Sequence, residues 1–224
     1  MGNLDLNDEF VKKLWTRACD GRLQFNTKNL YQLALFYAAA QIEGWNGNGN
    51  GNGNGNGNGN GVEEAPKELI EKMEAKLAEG DVTVSQAHKE VSKCLTRMGI
   101  EHEIEVSPFE RRGGWGKGVR GGVNFTTGVM MNIDIVIKNK EEKEKKEVAI
   151  EFNGPSHYVR YKGGYVLCGS TLFKRRLLEK LGFEVIFVGW EDWSSALRRG
   201  QQEDFLLRLI FGERMGMERE GLEG

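Results

Sequence analysis

The chain has 224 residues, of which 39% are hydrophobic and 29% are charged, and its formal net charge is −2. This length allows one substantial core and a second small one, and the composition excludes a polycation. No apolar run approaches the ~18–20 residues that cross a bilayer, so we expect no membrane partner. Three scattered cysteines fit neither a disulfide framework nor a zinc site, which favours a reducing compartment.

Two helices are predicted near the N-terminus. Phe10, Leu14 and Trp15 lie on one side of the first, Thr27 is the predicted cap of the second, and residues 20–22 separate them. A pair of this size resembles one unit of a helical-repeat array, but it cannot bury its apolar face alone. We expect it to dock on the C-terminal domain or on further repeats; a packing hairpin without an RNA role is the alternative.

A low-complexity tract then divides the chain. Asn-Gly is repeated eight times over residues 46–61, and neither residue type can build a core, so the tract predicts a flexible tether. The predicted domains are a helical hairpin at 1–45, the tether at 46–61, an α/β domain at 62–215 and a tail at 216–224. The first ten residues predict no transit peptide, so an organellar protein would need a presequence outside this sequence.

After the tether the order of predicted elements is helix, helix, three strands, helix, strand, helix. Pro66 begins the first of these helices, whereas Ser85 caps the next one and Gly99 ends it. Residues 103–106 alternate as a strand. Residues 107–129 form a long glycine- and arginine-containing loop, which is often a sign of function.

The next two strands form a hairpin over residues 131–153. An even register pairs isoleucines, valine and phenylalanine on one face, and on the other it sets Asp134 opposite Glu151 and Asn132 opposite Asn153. Two facing carboxylates oppose folding unless they are compensated by a metal ion, a shared proton, a basic neighbour or water. A solvated pair at a sheet edge is the alternative interpretation.

Basic residues collect after this hairpin. Residues 156–200 have a net charge of +4, whereas residues 62–105 have −5. His157 follows the second strand, and the next helix is capped by Ser170 or Thr171; three cations lie in its first turns, namely Lys174, Arg175 and Arg176. Cations there oppose the helix dipole, so the pattern favours a bound phosphate over a solvated basic face. We interpret His88 and His102 as structural residues.

The run from Ser85 to Phe211 resembles the RAP domain, an RNA-binding domain abundant in apicomplexans. The matching segments are SQAHKEVSKCLTRMGI, IDIVI, VAIEFNGPSHY, GSTLFKRRLLEKLGFEVIFV and GWEDW. The segment NTKNLYQLALFYAAA is similar to the helical repeats that precede RAP domains. The resemblance implies an α/β fold: a restriction-endonuclease-like mixed β-sheet flanked by helices and preceded by a short helical hairpin.

The resemblance also implies work on organellar RNA, in mitochondria or plastids, and possible nuclease chemistry. In catalytic relatives of the fold, acidic residues like Asp134 and Glu151 hold a metal ion, but the lysine position is Asn153 here and RAP domains typically have aspartate. We therefore favour a non-catalytic RNA-binding protein without a cofactor. In this interpretation RNA is held by Asn153, His157, Ser170, Lys174, Arg175 and Arg176.

Two other functions remain open. One is an RNA endonuclease dependent on Mg²⁺ or Mn²⁺, with Asp134 and Glu151 as catalytic residues and metal ligands. The other is a component of a ribonucleoprotein such as the mitochondrial ribosome, with ribosomal RNA and ribosomal proteins as partners. Trp190 and Trp193 are predicted to be core or partner contacts rather than base stackers.

Overall fold

The structure is a computed structural model that describes residues 9–20, 22–42, 65–78, 84–111, 131–138 and 146–212. The Asn-Gly tether, residues 112–130 of the long loop, residues 139–145 of the hairpin turn and the tail at 216–224 lie outside these ranges. None of the described helices has the length and apolarity that a membrane span requires.

The described elements are eight α-helices and six strands. The helices are α1 (Glu9–Cys19), α2 (Thr27–Ile42), α3 (Lys67–Ala78), α4 (Gln86–Arg97), α5 (Pro108–Arg111), α6 (Gly169–Lys180), α7 (Trp190–Arg199) and α8 (Gln202–Phe211). The strands are β1 (His102–Val106), β2 (Ile133–Ile137), β3 (Val148–Asn153), β4 (Tyr158–Tyr161), β5 (Gly164–Leu167) and β6 (Glu184–Gly189). A 3-10 turn covers Pro155–His157.

The chain divides into two compact units, and the first contains α1, α2 and α3. Trp15 of α1 stacks on Tyr37 of α2 at 5.1 Å between ring centroids. The Tyr37 hydroxyl accepts the backbone N–H of Ala65, directly before α3. The apolar face of the helix pair is therefore covered in part by α3, which the sequence interpretation had grouped with the α/β domain. The predicted domain boundaries remain predictions.

The second unit is built on a four-stranded mixed sheet in the order β1-β2-β3-β6. β1, β2 and β3 are antiparallel neighbours, and β6 is parallel to β3. A parallel pair needs a crossover connection, and α6 lies within the connection here. β4 and β5 form a separate two-stranded sheet within the same connection. The α/β class, with a mixed sheet and flanking helices after a helical segment, is confirmed.

One hydrophobic cluster joins the sheet to the helices of this unit. It is formed by residues of α4, α7 and α8 against residues of β2, β3 and β6: Val91, Cys94, Leu95, Ile135, Ile137, Ile150, Val188, Trp193 and Leu206. Strand side chains alternate between faces, so Asp134 and Glu151 belong to the opposite set of positions. The core thus fixes which face carries the two acids.

Several local predictions can be compared with the structure. The hairpin pairs Ile135↔Ile150, Val136↔Ala149 and Ile137↔Val148 are as predicted. Ser85 caps α4 by accepting the N–H of His88, as predicted. Two predicted caps are wrong. At α2 the capping oxygen comes from Asn26, which accepts the N–H of Asn29, and α6 begins after Cys168, one or two residues before the predicted cap.

Candidate functional site

Three acidic residues stand side by side on neighbouring strands. The pairs Ile104↔Ile135 and Val106↔Ile133 flank Glu105 of β1 and Asp134 of β2. The pair Ile135↔Ile150 sets Asp134 level with Glu151 of β3. We call Glu105, Asp134 and Glu151 the acidic row. Charges of one sign at facing positions repel, so the row requires compensation from other groups.

His88 of α4 compensates two members of the acidic row. Its Nε2 lies 2.9 Å from the Asp134 carboxylate, and its Nδ1 lies 3.3 Å from the Glu105 carboxylate. Glu105 makes this contact from a left-handed backbone with φ +52°, which costs a non-glycine residue about 1 kcal/mol. The Asp134 carboxylate also accepts the backbone N–H of Phe152 at 2.7 Å.

Lys174 of α6 compensates the third member. Its Nζ donates to the Glu151 carboxylate at 2.6 Å and to the backbone carbonyl of Asn132 at 2.7 Å. Only 5% of Glu151 is exposed, so this is a buried ion pair rather than the solvated pair considered from the sequence. Breaking such a pair leaves an uncompensated charge in a medium of low dielectric.

Burial and neighbouring charge shift the protonation equilibria of the acidic row. Burial, opposed by Lys174 and reinforced by Asp134, raises the pKa of Glu151 to about 7. Burial and the charge of Asp134 also raise the pKa of Glu105. Burial lowers the pKa of His88, but Asp134 and Glu105 more than offset this, and the net shift is upward. Because the pKa values of Glu105 and Glu151 are raised, the row carries less than its formal negative charge near neutral pH.

Two buried polar atoms on β3 lack hydrogen-bond partners among the described residues. They are Oε1 of Glu151 and Nδ2 of Asn153, which lie two residues apart on one side of the strand. Most buried polar atoms in proteins are paired, so a water or a ligand atom is expected between or beside them. Asn153 is only 1% exposed, and the structure therefore places this predicted RNA-binding residue in the interior.

The N-terminus of α6 gathers a second polar cluster. The Cys168 sulfur lies 3.1 Å from the Ser170 hydroxyl and 3.2 Å from the Thr171 hydroxyl. Thr171 is also 3.0 Å from Nδ1 of His157. The hydroxyl contacts, together with backbone N–H groups, lower the pKa of Cys168 to about 7, and burial lowers the pKa of His157. His157 thus contacts Thr171 and Ser170 contacts Cys168, and their predicted contact with RNA stays a prediction.

The three predicted cations of α6 differ in their surroundings. The Lys174 ammonium points to Glu151, as described above. Arg175 is exposed, lies 2.7 Å from Glu179 one turn later and rests over the ring of Phe187. Arg176 is exposed and rests over the ring of Phe173. The two arginines offer surface charge for a phosphate contact, whereas Lys174 is held inside.

One cluster in the described part of the chain has the composition of a metal site. Ligand atoms of His88, Glu105 and Asp134 lie within 4.8 Å of one another. An imidazole with two carboxylates suits Mn²⁺ better than Mg²⁺, which favours oxygen ligands alone. To bind here, a cation would have to replace the contacts between the His88 imidazole and the carboxylates of Glu105 and Asp134. The sequence prediction paired Asp134 with Glu151, which is tied to Lys174 instead.

Sequence reasoning missed His88 and Glu105. His88 was interpreted as structural, yet it lies three and seven residues before Val91 and Leu95 and therefore faces inward with them. That spacing was the available signal. No local pattern predicts the role of Glu105. Neither the strand that pairs with β1 nor the left-handed backbone of Glu105 can be recognised from neighbouring residues.

Comparison with known proteins identifies part of this unit. Residues 150–209, about a quarter of the chain, match the family model described as the RAP domain. No solved structure matches the chain. The matched segment runs from β3 to α8 and includes Glu151, His157 and Lys174, but not His88, Glu105 or Asp134. The segment from Ile150 to Leu209 is therefore similar to the RAP domain, and this similarity suggests an RNA partner.

Proposed function

We propose that this protein is a non-catalytic, organellar RNA-binding protein. It acts in RNA processing or stability, or as a component of the mitochondrial ribosome, with a plastid as the alternative location. The RAP domain supports an RNA partner. The net charge of +4 over residues 156–200 supports contact with a polyanion.

One observation carries the non-catalytic part of this proposal: protein groups already neutralise the acidic row. Asp134 accepts from His88 and from a backbone N–H, and Glu151 is buried against Lys174. Metal-dependent phosphodiester cleavage needs carboxylates that are open to a cation and to the scissile phosphate. In this chain the same carboxylates stabilise the junction of α4, α6 and the sheet.

The RNA backbone is expected at the start of α6 rather than on the acidic row. Arg175 and Arg176 are exposed in the second turn of α6, and Ser170 lies in its first turn. Phosphate contacts position a nucleic acid and make its binding sensitive to salt. His157 is half-buried behind this end and holds Thr171.

The proposal is tested by measuring RNA affinity of the full chain between 50 and 200 mM salt (a roughly four-fold range in which such contacts are resolved). Arg175→Ala with Arg176→Ala should reduce the slope of log affinity against log salt by about 1.4, since each single-strand phosphate contact contributes about 0.7. Arg198→Ala with Arg199→Ala removes the same charge from the end of α7 and serves as the control. Equal slopes in both double variants would count against the α6 site.

A second function is favoured by one cluster of side chains. Ligand atoms of His88, Glu105 and Asp134 lie within 4.8 Å of one another. A Mn²⁺-dependent RNA endonuclease would use Asp134 with His88 and Glu105 as ligands. Cleavage of labelled RNA that needs Mn²⁺ and is lost in Asp134→Ala would establish this function and overturn the non-catalytic proposal.

Enrichment of ribosomal RNA with the native protein would support the ribosomal role.

A further inference from the structure

A small pocket lies apart from the acidic row, beside the hairpin β4–β5 and the start of α7. Its volume is about 230 Å³, below the ~300 Å³ of the smallest usual ligand pockets, which suits one planar group. The residues that line it are Pro155, Tyr158, Tyr165, Gly189, Trp190, Glu191 and Asp192. Three aromatic side chains and two carboxylates thus surround one cavity.

Two of the aromatic side chains are not used by the core. Tyr165 is 69% exposed and Trp190 is 36% exposed. Single exposed aromatics are ordinary, but two in one concave site offer flat surfaces for a stacked ring. Trp193, one helical turn away, is buried and serves the core, so the exposure of Trp190 is specific to its position.

Two polar side chains of the pocket, Asp192 and Tyr158, both lie next to Gly189. A Cβ at this position would lie 3.1 Å from Oδ2 of Asp192 and 3.2 Å from the hydroxyl of Tyr158. The φ of Gly189 is −72°, which any residue adopts, so a side chain here would be crowded by its neighbours rather than strained in its backbone. The bare backbone allows the hydroxyl and the carboxylate to approach the same point.

These groups match the Watson–Crick edge of guanine. That edge presents two adjacent donors, N1–H and the N2 amine, next to the O6 acceptor. A carboxylate can accept from both donors, and a phenol can donate to O6. Uracil would present carbonyl oxygens to the carboxylate, and adenine or cytosine offers it one amine beside an acceptor. Burial, then Asp192 and Glu191, raises the pKa of Tyr158, which keeps its hydroxyl proton available.

A cation lies on the same face of the β4–β5 hairpin as Tyr165. Arg160 is paired with Tyr165 across β4 and β5, and paired residues of antiparallel strands project from the same face. Lys162 sits in the turn of this hairpin, over the ring of Tyr161. The hairpin therefore combines stacking surface with positive charge, as single-stranded nucleic acid sites do.

We infer that this pocket binds one unstacked guanine of single-stranded RNA, with Tyr165 and Trp190 against the base and Asp192 and Tyr158 reading its edge. This inference rests on the proposed RNA-binding function and adds base specificity to it. The acids also have a structural use, because carboxylates in the first turn of a helix favour the dipole of α7. The test must separate the two roles.

The experiment measures binding of labelled oligouridine in which one central position is guanosine, inosine, adenosine, cytidine or uridine. We expect the guanosine strand to bind about ten-fold more tightly than the others, as one bidentate base contact allows, and inosine to fall between because it lacks the N2 amine. Asp192→Asn should abolish this ratio. The ratio should be lost through weaker binding of the guanosine strand, with binding of the all-uridine strand as the reference.

Asp204→Asn is the matched control, since it removes an acid from the first turn of α8, away from the pocket. It should leave the guanosine ratio unchanged. Tyr165→Ala should weaken binding of the guanosine strand several-fold. Salt-sensitive binding without base preference, or a preference that survives Asp192→Asn, would overturn the guanine pocket and leave the proposed function intact. Failure to bind any of the RNAs would overturn the proposed function itself.

Discussion

The acidic row and the pocket beside α7 use carboxylates in opposite ways. In the row, Glu151 is buried and compensated by a lysine, and Asp134 is compensated by a histidine and a backbone N–H. In the pocket, Glu191 and Asp192 are exposed at the start of a helix and lie beside aromatic rings. Acids that the fold has already paired stabilise structure, whereas exposed acids remain available to a ligand.

The largest effect should come from Lys174→Met, which leaves Glu151 buried without its cation. Loss of one partner of a buried pair costs about 3 kcal/mol or more, and urea denaturation at pH 8 measures it. Lys180→Met changes an exposed lysine of the same helix and should cost well below 1 kcal/mol. Combining Lys174→Met with Glu151→Gln should restore most of the loss. Equal stability of Lys174→Met and Lys180→Met would show that the ion pair between Lys174 and Glu151 does not stabilise the fold.

A smaller, pH-dependent effect is expected for Glu151→Gln, which mimics the protonated acid. The folded-state pKa of Glu151 is about 7, above its ordinary value of 4.5, so its contribution to stability is complete below pH 4.5 and is lost as pH rises through 7. The unfolding free energy of the parent chain should therefore fall relative to that of the variant as the pH rises from 4.5 to 7. Parallel stability curves would contradict the raised pKa.

The smallest effect is expected for the exposed acids. Asp192→Asn should reduce the unfolding free energy by only about 0.5 kcal/mol, because the variant loses a screened interaction with the dipole of α7. Asp204→Asn at the start of α8 should cost a similar amount. Thermal unfolding of both variants measures this. A loss of several kcal/mol for Asp192→Asn alone would assign the carboxylate to the fold rather than to a ligand.

The hairpin β4–β5 shows where the sequence carried a signal that was not used. Its strands, YVRY and GYVL, are short and rich in tyrosine and valine, and Lys162-Gly163 lies between them. Both turn residues have positive φ, as a two-residue hairpin turn requires, and glycine at the second position favours it. Strands of four residues with almost no buried face lack the apolar–polar alternation that predicts a strand.

The sequence by itself determined the hairpin register, the Ser85 cap, the α/β class and the match of residues 150–209 to the RAP family model, because each depends on neighbours along the chain or on a local pattern. Only the tertiary structure decided which charges meet. His88 reaches Asp134, and Lys174 reaches Glu151, across 46 and 23 residues of sequence respectively. Compensation of a buried charge depends on distance in space, and no spacing along the chain specifies that distance.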